Sequence, residues 1–127
     1  MAKYQEILRK YWGYDDFRGI QRDVIESIAA GRDTLGLMPT GGGKSITFQV
    51  PALAMQGVCI VFTPLISLMR DQVEALRKRG ISYATALNSD ISYAERIDEI
   101  ERIKTGSRSI VYLSPELLLS CNISDII

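Results

Sequence analysis

Thr34-Leu35-Gly36-Leu37-Met38-Pro39-Thr40-Gly41-Gly42-Gly43-Lys44-Ser45 reads in three parts. The apolar run Thr34–Met38 predicts a buried strand, and Pro39–Gly43 a loop. From about Lys44 to Met55 the residues suit a helix, with Pro51 expected to kink or break it. Strand, glycine-rich turn and helix in that order are the expected setting of a phosphate-binding loop. Three glycines let the backbone turn tightly and approach a ligand with no Cβ in the way. Their N–H groups form an anion nest, and the helix adds its unpaired N–H groups and positive dipole end. Lys44 offers a mobile positive charge to the β- and γ-phosphates of a nucleotide, read here as ATP. Ser45 offers a hydroxyl ligand for Mg²⁺. The strict spacing G-x-x-x-x-G-K-[ST] would place its first glycine where this chain has Met38.

Downstream, strand and helix signals alternate. Val58–Phe62 is the strongest strand signal, five apolar residues with three of them β-branched. Thr63-Pro64 then predicts a helix start, a hydroxyl cap followed by proline at the first helical position. Leu65, Leu68, Met69, Val73 and Leu76 supply that helix's apolar face, and Gly80 closes it. Ile81–Leu87 is a weaker strand, and Tyr93, Ile97 and Ile100 mark a helix ending near Gly106. Ser109–Leu113 is a further buried strand, and Ser114-Pro115-Glu116 opens another helix. Strands alternating with helices predict a mainly parallel sheet with crossover helices on its faces.

Upstream, Tyr4, Ile7, Leu8, Tyr11 and Trp12 share one helix face, with Gly13 as the stop. Ile20, Val24, Ile25, Ile28 and Ala29 mark a second helix, stopped by Gly31. Between them runs the aromatic, polar loop Tyr14-Asp15-Asp16-Phe17-Arg18-Gly19. Gln21 opens the second helix, and a carboxamide can donate to and accept from the adenine edge at once. Tyr14 or Phe17 can stack on a base, and Arg18 can stack or reach a phosphate. The structural reading is an ordinary surface loop anchored by a buried Phe17.

Composition sets the bounds. The chain has 127 residues, 46% apolar and 24% charged, which suits a globular domain or part of one. Lys plus Arg equals Asp plus Glu at 15 each, so any nucleic-acid surface must be local. With no histidine and two cysteines, a Cys/His zinc site and a histidine base are excluded. Cys59, inside an apolar run, reads as an inert buried thiol, and Cys121 has no partner motif. The charged stretch Met1–Arg9 is no signal peptide and no apolar run is long enough to span a bilayer, so a cytoplasmic protein without membrane contact is expected.

Four segments in order resemble the RecQ-type DNA helicases of superfamily 2. Gly13–Gln21 resembles their motif zero, with Gly19-Ile20 standing where the family has Pro-Gly at the same spacing. Met38–Ser45 is similar to the family's phosphate loop, Met38 included. Thr63–Val73 resembles motif Ia and Tyr112–Leu118 resembles motif Ib. The resemblance spans nearly the whole chain. It implies the N-terminal part of a RecA-like P-loop domain, an incomplete α/β fold with a mainly parallel sheet and flanking helices, preceded by two N-terminal helices. Residues 1–31 would be the helical motif-zero segment and 32–127 a partial parallel core. It implies an ATP-dependent 3′–5′ DNA helicase as the parent enzyme. Tyr14, Arg18 and Gln21 would hold the adenine end, and Thr40, Gly41, Gly42, Gly43, Lys44 and Ser45 the phosphates, with Mg²⁺ at Ser45. Pro64, Ser67, Ser114, Pro115 and Glu116 would lie along single-stranded DNA.

Hydrolysis in that family also needs an Asp-Glu-Ala-His segment, which a chain without histidine lacks. Asp98-Glu99, in a polar helical stretch, reads as a solvated face. The expectation is therefore a part that grips nucleotide and DNA without turnover by itself. A truncated nucleotide- or DNA-binding module without motor activity is the alternative. A P-loop kinase is a weaker one, since no lid is visible. An open sheet edge is expected to invite a second copy, giving a homodimer.

Overall fold

The computed structural model describes residues 2–36 and 44–119. The chain forms two compact units, Met1–Gln56 and Gly57–Ile127. Among the described residues no helix is long and apolar enough to cross a membrane.

The first unit is helical: α1 (Ala2–Trp12), α2 (Gln21–Ala29) and α3 (Ile46–Ala54). α1 buries Tyr4 and Leu8, one turn apart on the face that the sequence marks. It ends at Gly13, whose φ of 77° lets its N–H turn back to the Leu8 and Arg9 carbonyls, both at 3.1 Å. Tyr4, Leu8, Phe17, Ile25 and Val50 make the core, with Ile7, Trp12, Ile46 and Ala54 packed against it. Phe17 is thus the anchor of the loop between α1 and α2.

α3 runs through Pro51 for a further turn, correcting the expected break. Proline removes one helix donor, but here Val50 and Pro51 are both buried, and Met55 N–H still reaches the Pro51 carbonyl at 2.9 Å. The strand expected at Thr34–Met38 does not form over residues 34–36, which join no ladder. An apolar run becomes a strand only where a neighbour pairs its backbone. Here Leu35 is exposed and the Thr34 hydroxyl bonds instead to Ser27 Oγ at 2.8 Å. Leu37 and Met38 lie outside the described residues, as does Cys121 in the second unit.

The second unit is a parallel sheet with helical crossovers: β1 (Cys59–Phe62), α4 (Ile66–Lys78), β2 (Ala84–Leu87), α5 (Tyr93–Lys104), β3 (Ile110–Leu113) and a 3₁₀ turn at Pro115–Leu119. The strand order is β1-β3-β2, so the last strand is central. Its four residues are all buried, as expected of a strand covered on both faces. Register pairs Cys59 and Ala84 with Ile110, and Phe62 and Leu87 with Leu113. Leu87, Ile103, Val111, Leu113 and Leu117 form one core, with Val58, Ile60 and Ile91 at its margin. Among the described residues β1 and β2 are the outer strands.

Three helix expectations shift. α4 starts at Ile66 and not at Pro64, because the Thr63 hydroxyl accepts the Leu65 N–H at 3.2 Å and closes a separate turn first. Its Met69 and Leu76 are buried, but Leu65 and Leu68 are exposed. On α5 only Ile103 is buried, while Tyr93 is 71% and Ile97 46% exposed. Ser114-Pro115-Glu116 opens a 3₁₀ turn, with Leu117 N–H on the Ser114 carbonyl at 3.1 Å.

Candidate functional site

In the helical unit the loop Tyr14–Ile20 is held from below and carries its polar groups outward. Asp16 Oδ1 accepts the Phe17 N–H at 2.8 Å and Gln5 Nε2 at 3.0 Å, and both Asp16 oxygens meet Arg22 at 3.2 Å. The Gln5 bond leads in holding this carboxyl below its ordinary pKa, followed by the Phe17 N–H. Phe17 is thereby fixed inward. Tyr14 and Arg18, either side of it, are exposed, and the Arg18 guanidinium lies 5.5 Å from the Tyr14 ring centroid. This is a cation–π pair presenting a flat surface to solvent.

Gln21 is the first residue of α2 and only 4% exposed. Its Oε1 accepts the Arg18 N–H at 2.8 Å. The side chain therefore fixes the loop end as well as lying beside the Tyr14–Arg18 pair.

Thr40, Gly41, Gly42 and Gly43 lie outside the described residues. Lys44 and Ser45 lie within them. Ser45 is the cap residue of α3, and its carbonyl accepts the Gln49 N–H at 2.9 Å. Its side chain makes no cap bond, which leaves the helix start to the backbone. Lys44 is exposed just ahead of it, at the positive end of the helix dipole. The donor set, an exposed lysine followed by a hydroxyl at a helix N-terminus, suits a nucleotide phosphate with its Mg²⁺.

In the second unit Pro64 and Ser67 are exposed at the start of α4, with the exposed Leu65 and Leu68 around them. Pro115 and Glu116 are exposed at the end of β3. Ser114 is enclosed, its hydroxyl without a partner among the described residues, and its N–H donates to the Leu87 carbonyl at 3.1 Å. All lie at the carboxyl ends of the strands, where parallel α/β sheets bind ligands.

Two features escape the sequence patterns. Glu99 is no solvated residue: it forms a half-buried fork with Arg108, while Asp98 does face solvent and pairs with Arg102 at 3.0 Å. Asn88, at the end of β2, is buried and bonded on both sides of its amide. Neither belongs to a helical or strand period, so no pattern selects it. Cys59 is partly buried, and burial raises its thiol pKa, which suits an unreactive cysteine.

Residues 18–125 match the DEAD/DEAH box helicase family. The ATP-dependent DNA helicase RecQ of Synechocystis sp. is 47% identical over 91% of this chain and 24% of its own length. The probable ATP-dependent DNA helicase RecS of Bacillus subtilis is 43% identical over 94% of this chain and 24% of its own. The ATP-dependent DNA helicase Q1 of Rattus norvegicus is 38% identical over 91% and 19%. The chain thus spans about a quarter of the length of the first of these curated relatives.

Proposed function

The chain belongs to the DEAD/DEAH box helicase family, and from that premise we propose that it is the nucleotide- and DNA-gripping part of a RecQ-type motor. The whole protein, in this reading, is an ATP-dependent DNA helicase that travels 3′ to 5′ in the cytoplasm. Residues 1–127 are then a portion of one helicase ATP-binding domain, with 1–31 its helical lead and 32–127 part of the α/β core.

Tyr14 and Arg18 cover the adenine face and Gln21 reads its edge, while Thr40, Gly41, Gly42, Gly43 and Lys44 hold the phosphates. Ser45 holds the Mg²⁺ that accompanies the nucleotide and offsets phosphate charge. Pro64, Ser67, Ser114, Pro115 and Glu116 follow single-stranded DNA, Ser114 through its backbone or after a local shift because its side chain is enclosed. The observation that carries the reading is the exposed Tyr14–Arg18 pair beside Gln21, in the same compact unit as the Lys44–Ser45 helix start. A stacking surface, an edge reader and a phosphate anchor are the three parts a nucleoside triphosphate requires.

The 127 residues contain no histidine and hence no Asp-Glu-Ala-His segment to orient an attacking water. The chain alone therefore binds ATP without turning it over. Titration with a fluorescent non-hydrolysable ATP analogue, beside a phosphate-release assay, tests both halves. Saturable binding without turnover is expected. Turnover that Lys44→Ala abolishes would refute the division between gripping and cleavage.

A further inference from the structure

Thr63, Ser114 and Asn88 form a row across the carboxyl end of the sheet. β1, β3 and β2 end in register at Phe62, Leu113 and Leu87. The ladder continues one step, with Thr63 N–H donating to the Leu113 carbonyl at 3.2 Å and Ser114 N–H to that of Leu87 at 3.1 Å. Side chains alternate along a strand and register neighbours share a face. The three side chains therefore emerge on the face of Val61, Tyr112 and Ala86. That is the face α4 covers: the Tyr112 hydroxyl donates to Gln72 Oε1 at 2.9 Å, and Asn88 Nδ2 to the Met69 sulfur at 3.6 Å.

Asn88 is 6% exposed and Ser114 2%. Asn88 Oδ1 accepts the Asp90 N–H at 2.8 Å, shaping the turn after β2. The Asp90 carboxylate in that turn meets Arg70 of α4 at 3.4 Å. One buried amide thus joins the end of β2 to α4 at Met69, and the turn it shapes reaches α4 again at Arg70. A thioether is a weak acceptor and an exposed ion pair contributes little. An apolar side chain would pack against Met69 without desolvating an amide. What the amide supplies, and packing does not, is direction.

We propose that Asn88 is a positioning residue of the DNA-binding edge. It sets the offset of the first turns of α4, and so of Ser67, against the end of β3 at Ser114–Glu116. The proposal rests on the reading of those residues as DNA contacts. Two elements that hold neighbouring phosphates of one strand form both sets of bonds together only while their offset stays within the narrow distance range of a hydrogen bond.

The test is a double-mutant cycle on this chain, read by anisotropy of a labelled single-stranded oligodeoxynucleotide, with ATP-analogue affinity as the second readout. Asn88→Ala weakens oligonucleotide binding about tenfold, and so does Ser67→Ala, each equivalent to about one lost hydrogen bond. The double variant binds no more weakly than the worse single one, because one residue acts through the other. ATP-analogue affinity is unchanged. Losses that multiply, a parallel fall in ATP-analogue affinity, or wild-type DNA binding by Asn88→Ala would each overturn the proposal. If Asn88→Ala does not fold, Met69→Leu removes the same bond while keeping volume. It is expected to show a smaller loss, coupled to Ser67 in the same way, and unchanged binding overturns the idea. A wild-type chain that ignores the oligonucleotide removes the DNA reading itself. Wild-type binding with an unaffected Asn88→Ala removes this proposal alone.

Discussion

The Arg18 N–H donates to Gln21 Oε1 at 2.8 Å, so the residue expected to read a base also closes the loop that would stack on it. The two roles share one side chain. Replacing Gln21 by alanine should therefore loosen Arg18 as well as remove the edge contact. We expect ATP affinity to fall about tenfold and the preference for ATP over GTP to collapse, since a lost edge reader leaves only stacking and phosphate contacts. Competition of ATP and GTP against a fluorescent analogue measures both. An ATP preference retained in Gln21→Ala would remove the adenine role.

Glu99 and Arg108 make a two-pronged pair, Nε to Oε2 at 3.0 Å and Nη2 to Oε1 at 3.3 Å, with side chains 20% and 16% exposed. Arg108 also donates to the Ser82 carbonyl at 3.1 Å, joining α5 to the chain entering β2. Burial alone would raise the Glu99 pKa, but the bonds from Arg108 and Thr85 and the charges of Arg108 and Arg102 outweigh it, and the net direction is down. A folded-state pKa below the unfolded value gives stability that is full above the ordinary glutamate pKa of about 4.3 and lost as pH falls through the lowered value. Asp16 is lowered too and adds in the same sense. With no histidine to titrate, the thermal midpoint should be flat from about pH 5 to 8 and drop below about pH 4. Glu99→Gln should cost about 1–3 kcal/mol of stability, read as a lower midpoint on the plateau, and flatten the acid drop. A plateau unchanged by Glu99→Gln would show the fork to be idle.

Burial separates side chains that sequence periodicity treats alike. Ile25 of α2 is fully buried, so Ile25→Ala should cost about 2–5 kcal/mol. Tyr93 and Ile97 occupy the same kind of periodic position on α5 but face solvent, so alanine at either should change stability by less than about 0.5 kcal/mol. Urea unfolding of the three variants distinguishes these. A large loss at Ile97 would mean that something covers that face of α5.

That contrast shows what the sequence could and could not reveal. Periodicity located α1, α2 and β3 because each buries residues of its apolar face, as at Leu8, Ile25 and Val111, whereas β1 is marked by its apolar, β-branched run although its residues are only partly buried and Phe62 is exposed. It overstated α5, whose period at Tyr93, Ile97 and Ile100 is real but largely unburied, since periodicity records what a face could cover and not whether anything lies there. It placed the starts of α4 and of the turn after β3 too simply, because the Thr63 hydroxyl closes a local turn, while at Ser114 the backbone carbonyl takes the Leu117 N–H into a 3₁₀ turn and the hydroxyl caps nothing among the described residues. Asn88 and the Glu99–Arg108 fork depend on partners distant in the chain, Met69 and the α5–β3 connection, which no local pattern encodes. The motif spacing fixed Gln21 at a helix start and Ser45 at another, because caps and helix beginnings are local events.

Ser45 separates metal from phosphate binding. Its carbonyl opens α3 through Gln49, and its side chain makes no cap bond, so Ser45→Ala should leave the helix intact. Lys44 acts as a charge and Ser45 as an oxygen ligand, and the two losses should differ in their dependence on the ion. Lys44→Ala is expected to weaken ATP-analogue binding tenfold or more, about 1.4 kcal/mol at least, with or without Mg²⁺. Ser45→Ala should match wild type when the ion is chelated and fall behind only when it is supplied, because a hydroxyl ligand contributes only through the metal it holds. Calorimetric titration of the analogue into each variant, with excess Mg²⁺ and with EDTA, reads the difference directly. An equal deficit for Ser45→Ala under both conditions would assign the hydroxyl to the phosphate and not to the ion.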